Sequence, residues 1–101
     1  MDKKQQRKNT PIYRGVIKYF PDAMAEVAKV SFIANEQHNK GEPMHWAKDK
    51  SKDEYDAMMR HLADVANGEE IDDDGLLHRG KIAWRALAGL QRYLEGSDII
   101  E

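Results

Sequence analysis

The sequence predicts an all-α fold, a small antiparallel bundle of three main helices. Three segments carry apolar residues at three- and four-residue steps, the spacing that gives a helix one buried face. They cover residues 21–38, about 51–67 and 76–95, and turn signals separate them at Gly41-Glu42-Pro43 and at Asn67-Gly68. No segment shows the strict alternation of a β-strand, so we expect helices joined by short connections.

The composition is that of one small domain that can bury only a thin core. Of the 101 residues 41% are hydrophobic and 34% charged, so we expect a homo-oligomer that covers the remaining apolar surface. The net charge of −2 gives no general attraction to nucleic acid or to anionic lipid. No apolar run approaches the roughly 20 residues that span a bilayer, and no signal peptide is present. The absence of cysteine fits a reducing cytoplasm.

The chain divides into three parts by its pattern. Residues 1–10 are polar and aperiodic and are interpreted as a mobile arm; residues 11–96 form a single helical domain, and residues 97–101 form a C-terminal tail. The apolar stretch at residues 12–20 is either an extended lead-in or a helical turn, and its pattern does not separate the two.

The first predicted helix begins at Pro21, because the first helical position tolerates the missing N–H of proline. Its predicted buried face comprises Met24, Val27, Ala28, Ser31 and Ala34. A charged stripe on another face comprises Asp22, Glu26, Lys29 and Glu36.

The second predicted helix begins with a capping box, Ser51-Lys52-Asp53-Glu54, in which Ser51 is the N-cap. Its predicted buried residues are Tyr55, Met58, Met59, Leu62 and Val65. The acidic segment at residues 69–74 lacks the spacing of a calcium loop and is interpreted as a solvated connection.

The third predicted helix has an apolar and a basic face. The residues predicted to be buried are Leu76, Ala83, Leu87, Leu90 and Leu94. A basic stripe on another side comprises His78, Lys81, Arg85 and Arg92.

Several of these residues could carry chemistry. Carboxylates one helical turn apart, as in Asp53 and Asp56 near Arg60, suit a Mg²⁺ ion that also binds phosphate oxygens. The same spacing is equally typical of a solvated, salt-bridged helix face. The cations Lys81 and Arg85 could bind a triphosphate beside His78, or could be ordinary surface charge.

The aromatic and imidazole side chains leave alternatives open as well. Trp46 could stack on a purine base or close the end of the bundle. Each of the four histidines could serve the site or make a structural hydrogen bond, and no short zinc-type spacing links them.

A longer polar pattern resembles a known family. The run from Asn35 to Trp46 continues through Lys50-Ser51, Asp53 and residues 56–62, and then reaches Asp74-Gly75, His78, Lys81 and residues 83–87. This pattern resembles the small phage and prophage proteins grouped as dATP/dGTP diphosphohydrolase-like, which are similar to the MazG-like all-α nucleoside triphosphate pyrophosphohydrolases. The resemblance covers about residues 20–90.

The resemblance implies an oligomeric helical enzyme that binds a purine deoxynucleotide, dATP or dGTP, and releases pyrophosphate with the help of Mg²⁺. Carried over by position, the metal ligands are Glu36, Asp53 and Asp56, and Asp56 is also a catalytic candidate. The phosphate contacts that it implies are Lys50, Arg60, Lys81 and Arg85, with His61 and His78 orienting groups or moving protons.

Two departures from the related enzymes keep other functions open. The MazG-like Glu-Glu-x-x-Glu cluster is absent, and Lys81 and Arg85 stand where many family members carry His and Asn. These differences favour phosphate binding without turnover, so one alternative is a protein that sequesters a nucleotide or cyclic nucleotide. Another alternative is a helical oligomeric adaptor.

Overall fold

A computed structural model describes residues 1–50 and 52–96. Within these residues the chain forms four α-helices and no β-strand, which confirms the all-α class. Beyond the three predicted helices there is one additional short helix near the N-terminus. The helices are α1 (Lys3–Lys8), α2 (Pro21–His38), α3 (Glu54–Ala66) and α4 (His78–Leu94), with a π-helical turn at Tyr13–Ile17 and a 3₁₀ turn at Lys48–Lys50.

The N-terminal segment has local structure but little packing. In the part predicted to be a polar arm, Asp2 caps α1 by accepting a hydrogen bond from the backbone N–H of Gln5 at 2.8 Å. The stretch that the sequence left undecided forms the π-helical turn, and its apolar residues stay exposed. The tail predicted at residues 97–101 lies outside the described residues, so the domain boundaries stay predictions.

The helix ends follow local signals. Helix α2 begins at Pro21 and ends at His38, as predicted, and Gly41 then adopts a φ of 84° that favours glycine. Helix α3 begins two residues later than the predicted capping box requires, with Asp53 as N-cap and no side-chain capping bond. Residue 51, the predicted N-cap, lies outside the described residues.

Helix α4 is the central element because it packs against both α3 and α2. Small residues allow the close approach: a Cβ added at Gly89 would lie 2.6 Å from the ring of Tyr55 on α3. Among the described residues no helix is long and apolar enough to cross a membrane.

The face of α4 that turns inward is opposite to the predicted one. Leu87, Leu90 and Leu94 were expected in the core, yet they are 46%, 54% and 69% exposed. The basic stripe turns inward instead, with His78 3% and Arg92 4% exposed. Periodicity identified both faces but could not determine which one is buried. The basic face can turn inward because acidic residues from other segments compensate its positive charge, and a local sequence pattern does not reveal those residues.

The predicted core of α3 also changes. Tyr55, Met59 and Leu62 are exposed, whereas Ala57 and Glu54 are buried. Glu54 is the largest fully buried side chain among the described residues. The core is therefore small and rich in polar groups, and the residues it buries are Val30, Asn35, Glu54, Ala57, Leu76, His78, Ala88 and Arg92.

Candidate functional site

An open cleft of about 700 Å³ lies between α2, the segment that follows it, and α4. It takes residues from sequence segments that are far apart, which is typical of ligand sites. Five of the side chains expected at a nucleotide site line it, namely Trp46, Lys50, His61, Lys81 and Arg85. Three further polar groups from α2 and the following loop, His38, Asn39 and His45, line it as well.

Two tryptophans form one wall of the cleft. The rings of Trp46 and Trp84 meet edge to face, with centroids 5.5 Å apart and planes at 74°. Trp84 is fixed because its indole N–H donates to Ser31 Oγ at 2.8 Å, which ties α4 to α2. Cations lie over both rings, Lys48 at 4.9 Å from Trp46 and Arg85 at 5.5 Å from Trp84. The wall is thus an aromatic surface with positive charge at its edge.

The loop that carries Trp46 is held at its start by the buried Asn35. The side-chain amide of Asn35 donates to the carbonyl of Glu42 at 3.2 Å, and its oxygen accepts the backbone N–H of His45 at 3.3 Å. All of these bonds are internal, so Asn35 fixes the loop rather than offering its amide to a ligand.

The end of the same loop is held by α4. Lys48 donates to both carboxylate oxygens of Glu95 at 2.8 Å, and Arg92 donates to the backbone carbonyl of Lys48 at 2.9 Å. The hydrogen bonds from Lys48 lower the pKa of Glu95 below its ordinary value. Arg92, predicted as part of a basic surface stripe, is therefore a buried anchor of the loop.

Lys81 reaches the cleft already held by two carboxylates. Its Nζ donates to Asp72 Oδ2 at 2.6 Å and to Asp74 Oδ2 at 2.7 Å. Partial burial by itself lowers the pKa of Lys81, but the hydrogen bonds with the two aspartates outweigh it and raise that pKa. Hydrogen bonding to Lys81 likewise lowers the pKa of Asp72. The three groups therefore stay charged at neutral pH.

These aspartates belong to a folded turn rather than to the solvated connection expected at residues 69–74. The N–H of Asp72 donates to the carbonyl of Leu76 at 2.8 Å, and Gly75 closes the turn at a φ of 83°. The N–H of His78 donates to the carbonyl of Glu70 at 3.0 Å, so the turn is bonded to the start of α4. This geometry brings two acidic side chains back over the first turn of α4.

Arg85 is held by the buried Glu54 of α3. Its Nη1 donates to Glu54 Oε1 at 2.5 Å, while the side chains are 28% and 1% exposed. The second carboxylate oxygen, Oε2, is buried without a hydrogen-bond partner in the described part of the chain. Glu54 thus directs the guanidinium of Arg85 while the arginine lines the cleft.

His61 and His78 meet behind the cleft wall. Their Nδ1 atoms are 2.9 Å apart, and His61 lines the cleft while His78 is 3% exposed. Burial lowers the pKa of His61, and the positive charge of Lys81 lowers it further. The imidazole of His61 is therefore neutral at physiological pH.

The expected metal ligands are not gathered by this chain alone. Glu36, Asp53 and Asp56 are not among the described residues that bring three possible ligand atoms within 4.8 Å, and none of them lines the cleft. Asp53 forms an ion pair with Arg60 at 2.9 Å, at a position also outside the cleft. The arrangement therefore does not fit a Mg²⁺ ion held by these three carboxylates within one chain.

Glu54, Asp72 and Asp74 were not expected in the site. Glu54 was interpreted as a capping residue, and the two aspartates as solvated loop residues. One signal was available, since an acidic segment directly precedes a helix whose first two turns carry Lys81 and Arg85. The pairing of Asp72 and Asp74 with Lys81 depends on how the turn folds, and the spacing of residues in the sequence does not reveal that fold.

Comparison with known proteins now places the chain in a family. No curated protein and no solved structure matches it. One family model does match, and it covers residues 1–100, which is nearly the whole chain. The chain belongs to the family described as dATP/dGTP diphosphohydrolase, N-terminal.

Proposed function

We propose that this protein hydrolyses a purine deoxynucleoside triphosphate, dATP or dGTP, at the cleft. The observation that carries the proposal is the cleft itself, in which an aromatic wall and three cations converge in a member of a diphosphohydrolase family. In the reaction, the oxygen of a water attacks phosphorus and the bond between the α- and β-phosphates breaks, which yields a deoxynucleoside monophosphate and pyrophosphate.

In this proposal the aromatic wall binds the base of the substrate and the cations bind its phosphates. The base stacks against Trp46, which is half-buried at the cleft edge. Lys50 meets the phosphates first, because it is exposed and makes no ion pair with another described residue. Arg85 and Lys81, pre-oriented by their carboxylates, then contact phosphate oxygens, and such fixed charges stabilise the negative charge that develops.

The neutral imidazole of His61 is the proposed acceptor of the proton from the attacking water. It lines the cleft, and its hydrogen-bond partner His78 fixes the orientation of the ring. His78 acts through His61 and is buried, so it is a positioning residue in this proposal.

Mg²⁺ is the proposed cofactor, because a divalent ion commonly neutralises triphosphate charge in such reactions. Glu36, Asp53 and Asp56 remain the ligand candidates from the family resemblance, although one chain does not gather them. We therefore assign no step to the ion and treat its requirement as a matter for experiment.

A specific observation also favours a second candidate function, nucleotide sequestration without turnover. Lys81 and Arg85 are both held by carboxylates of the chain, and the metal-ligand candidates are dispersed. A cleft of this kind could bind a nucleotide or a cyclic nucleotide and leave its phosphate bonds intact.

The active form in this proposal is a homo-oligomer. An 11.6 kDa monomeric protein typically exposes about 5,800 Å², whereas this chain exposes 7752 Å². Many large apolar side chains are exposed, and they include a strip on α4, formed by Leu87, Leu90 and Leu94, which lines a second cavity of about 290 Å³. The occupant that we propose for this strip is a second copy of the chain.

A nucleotide panel incubated with and without Mg²⁺, analysed by chromatography beside thermal unfolding, tests the function. Monophosphate and pyrophosphate that appear only with Mg²⁺ support the enzyme, while a thermal shift with intact nucleotide supports sequestration. In an oligomer that brings Asp56 to the cleft as a metal ligand, Asp56→Asn should abolish turnover and keep nucleotide binding, with Asp2→Asn in the α1 cap as the matched control. Undiminished turnover in Asp56→Asn removes Asp56 from the mechanism.

A further inference from the structure

Two imidazoles and a carboxylate meet where the acidic turn contacts α3 and α4. One ring nitrogen each of His61 and His78 and a carboxylate oxygen of Asp72 all lie within 4.8 Å of one another. His78 Nδ1 is 2.9 Å from His61 Nδ1 and 3.9 Å from Asp72 Oδ2. Three different segments of the fold thus point one ligand atom each at a common centre.

These separations resemble the edges of a metal coordination polyhedron. Zinc–nitrogen bonds of about 2.0–2.1 Å place tetrahedral ligand atoms about 3.3 Å apart. The observed 2.9 and 3.9 Å lie on either side of that value, and the separation between His61 and Asp72 is within 4.8 Å, so the side chains must rotate to bring the three atoms together around an ion. Two imidazoles with one carboxylate is a ligand set that suits Zn²⁺ and its neighbours Co²⁺ and Ni²⁺, with a fourth position left for water.

The charge around the centre favours a cation despite the nearby ammonium group. Lys81 bonds Asp72, but each carboxylate oxygen has two lone pairs and can accept more than one partner. Asp64 Oδ2 lies 3.7 Å from His78 Nδ1, and Glu69 can also bring an oxygen within 4.8 Å of His78. Asp64, Glu69, Asp72 and Asp74 thus bring four carboxylates near the centre, against the two nearby cations Lys81 and Arg85, so the net charge attracts a divalent ion.

An entry path exists on one side. His78 is buried, but His61 lies on the wall of the open cleft, so an ion can reach the centre from the cleft. Without a metal, the close contact between the imidazoles is an N–H···N hydrogen bond that requires one ring to carry its proton on Nδ1.

We propose that His61, Asp72 and His78 form a binding site for a transition-metal ion of the Zn²⁺ class. This site is separate from the carboxylate set considered for Mg²⁺ and takes a softer ion through nitrogen ligands. With a metal on Nδ1 the His61 ring carries its proton on Nε2, so the metal-bound state is distinct from the state in which His61 accepts a proton. Metal binding is measurable without nucleotide.

The test is a Co²⁺ titration of the full chain, prepared without a histidine tag and freed of metal by a chelator. We expect one equivalent of Co²⁺ to bind, with the visible d–d absorption of a low-coordinate site, and Zn²⁺ to bleach that absorption. His61→Gln should weaken Co²⁺ binding about 100-fold, since even outer-shell changes cost about 10–100-fold. His45→Gln, which changes an imidazole 50% exposed in its side chain, should bind as the parent does.

Two further variants keep the result decisive if His61→Gln folds poorly. Asp72→Asn should also weaken Co²⁺ binding, while Lys81→Gln should tighten it because a positive charge leaves the site. Circular dichroism of each variant establishes that it is folded. A parent chain that gives no Co²⁺ absorption, or a His61→Gln chain that binds as tightly as the parent, overturns the proposal.

Discussion

Arg85 on α4 donates to a carboxylate of α3, Glu54, whose other oxygen is buried and has no hydrogen-bond partner among the described residues. The pair joins the most extensively packed helices and at the same time orients a cation of the cleft. In the proposed function, stability and nucleotide binding therefore depend on the same contact.

Removing Arg85 alone should destabilise the fold. Arg85→Met leaves the buried carboxylate of Glu54 uncompensated, and we expect a loss of about 3 kcal/mol in the free energy of unfolding. The double variant Glu54→Leu with Arg85→Met should recover most of that loss, because no buried charge remains. Urea unfolding measures both, and a double variant no more stable than the single one contradicts this account.

The aromatic wall should contribute directly to nucleotide affinity. Trp46→Leu removes the stacking surface, and since stacking contributes about 1–3 kcal/mol per base, affinity for dATP or dGTP should fall about tenfold or more. Calorimetric titration measures the change. Tyr93→Leu, which removes an aromatic ring 74% exposed at the end of α4, is the matched control. Equal losses in the two variants would show that Trp46 has no specific role.

The anchor of the Trp46 loop should respond to acid. The pKa of Glu95 is lowered by its hydrogen bonds from Lys48, so the stability it contributes is present above the ordinary glutamate pKa. That contribution is lost as the pH falls below about 4.3 and through the lowered pKa. In Lys48→Met the Glu95 carboxyl should titrate at a higher pH, and in Lys40→Met it should not. Carboxyl NMR follows the titration. If the Glu95 carboxyl titrates in Lys48→Met at the same pH as in the parent, the interpretation of Lys48 and Glu95 as an anchor is wrong.

The exposed strip on α4 should determine the oligomeric state. Leu90→Glu places a charge in the centre of the strip, and we expect light scattering after size exclusion to show a shift towards monomer. Asn67→Asp adds the same charge at the end of α3, outside the strip, and should leave the assembly intact. A parent chain that is already monomeric contradicts the proposal.

The positions of the helices could be predicted because they follow local rules. Pro21 starts a helix, Gly68 ends one at a φ of 85°, and three- and four-residue periodicity fills the space between. Which face turns inward is not a local property. Which face of α4 is buried depends on acidic groups of α3 and of the turn that precedes α4. These groups compensate the positive charge of the basic face, which would otherwise remain in water.

In the candidate site, too, some features could be predicted from the local sequence and others depend on how the helices pack. Trp46, Lys50, Lys81 and Arg85 have the chemistry of a nucleotide site, and they converge on one cleft. The partners of these cations could not be predicted, since the contact between Glu54 and Arg85 spans 31 residues. The contact between the two histidines, 17 residues apart, likewise depends on how α3 and α4 pack.

The two sides of the cleft differ in how readily they can accept amino-acid substitutions. Residues 39–47 form one wall as a loop fixed by Asn35 and by the end of α4, whereas Lys81 and Arg85 belong to the helix at the centre of the fold. Substitution in the loop alters the surface that would meet a base in the proposed function, without disturbing the contact between α3 and α4. Under that proposal, selectivity for the base can diverge within this architecture while the cations proposed to face the phosphates, bound into the core, stay as they are.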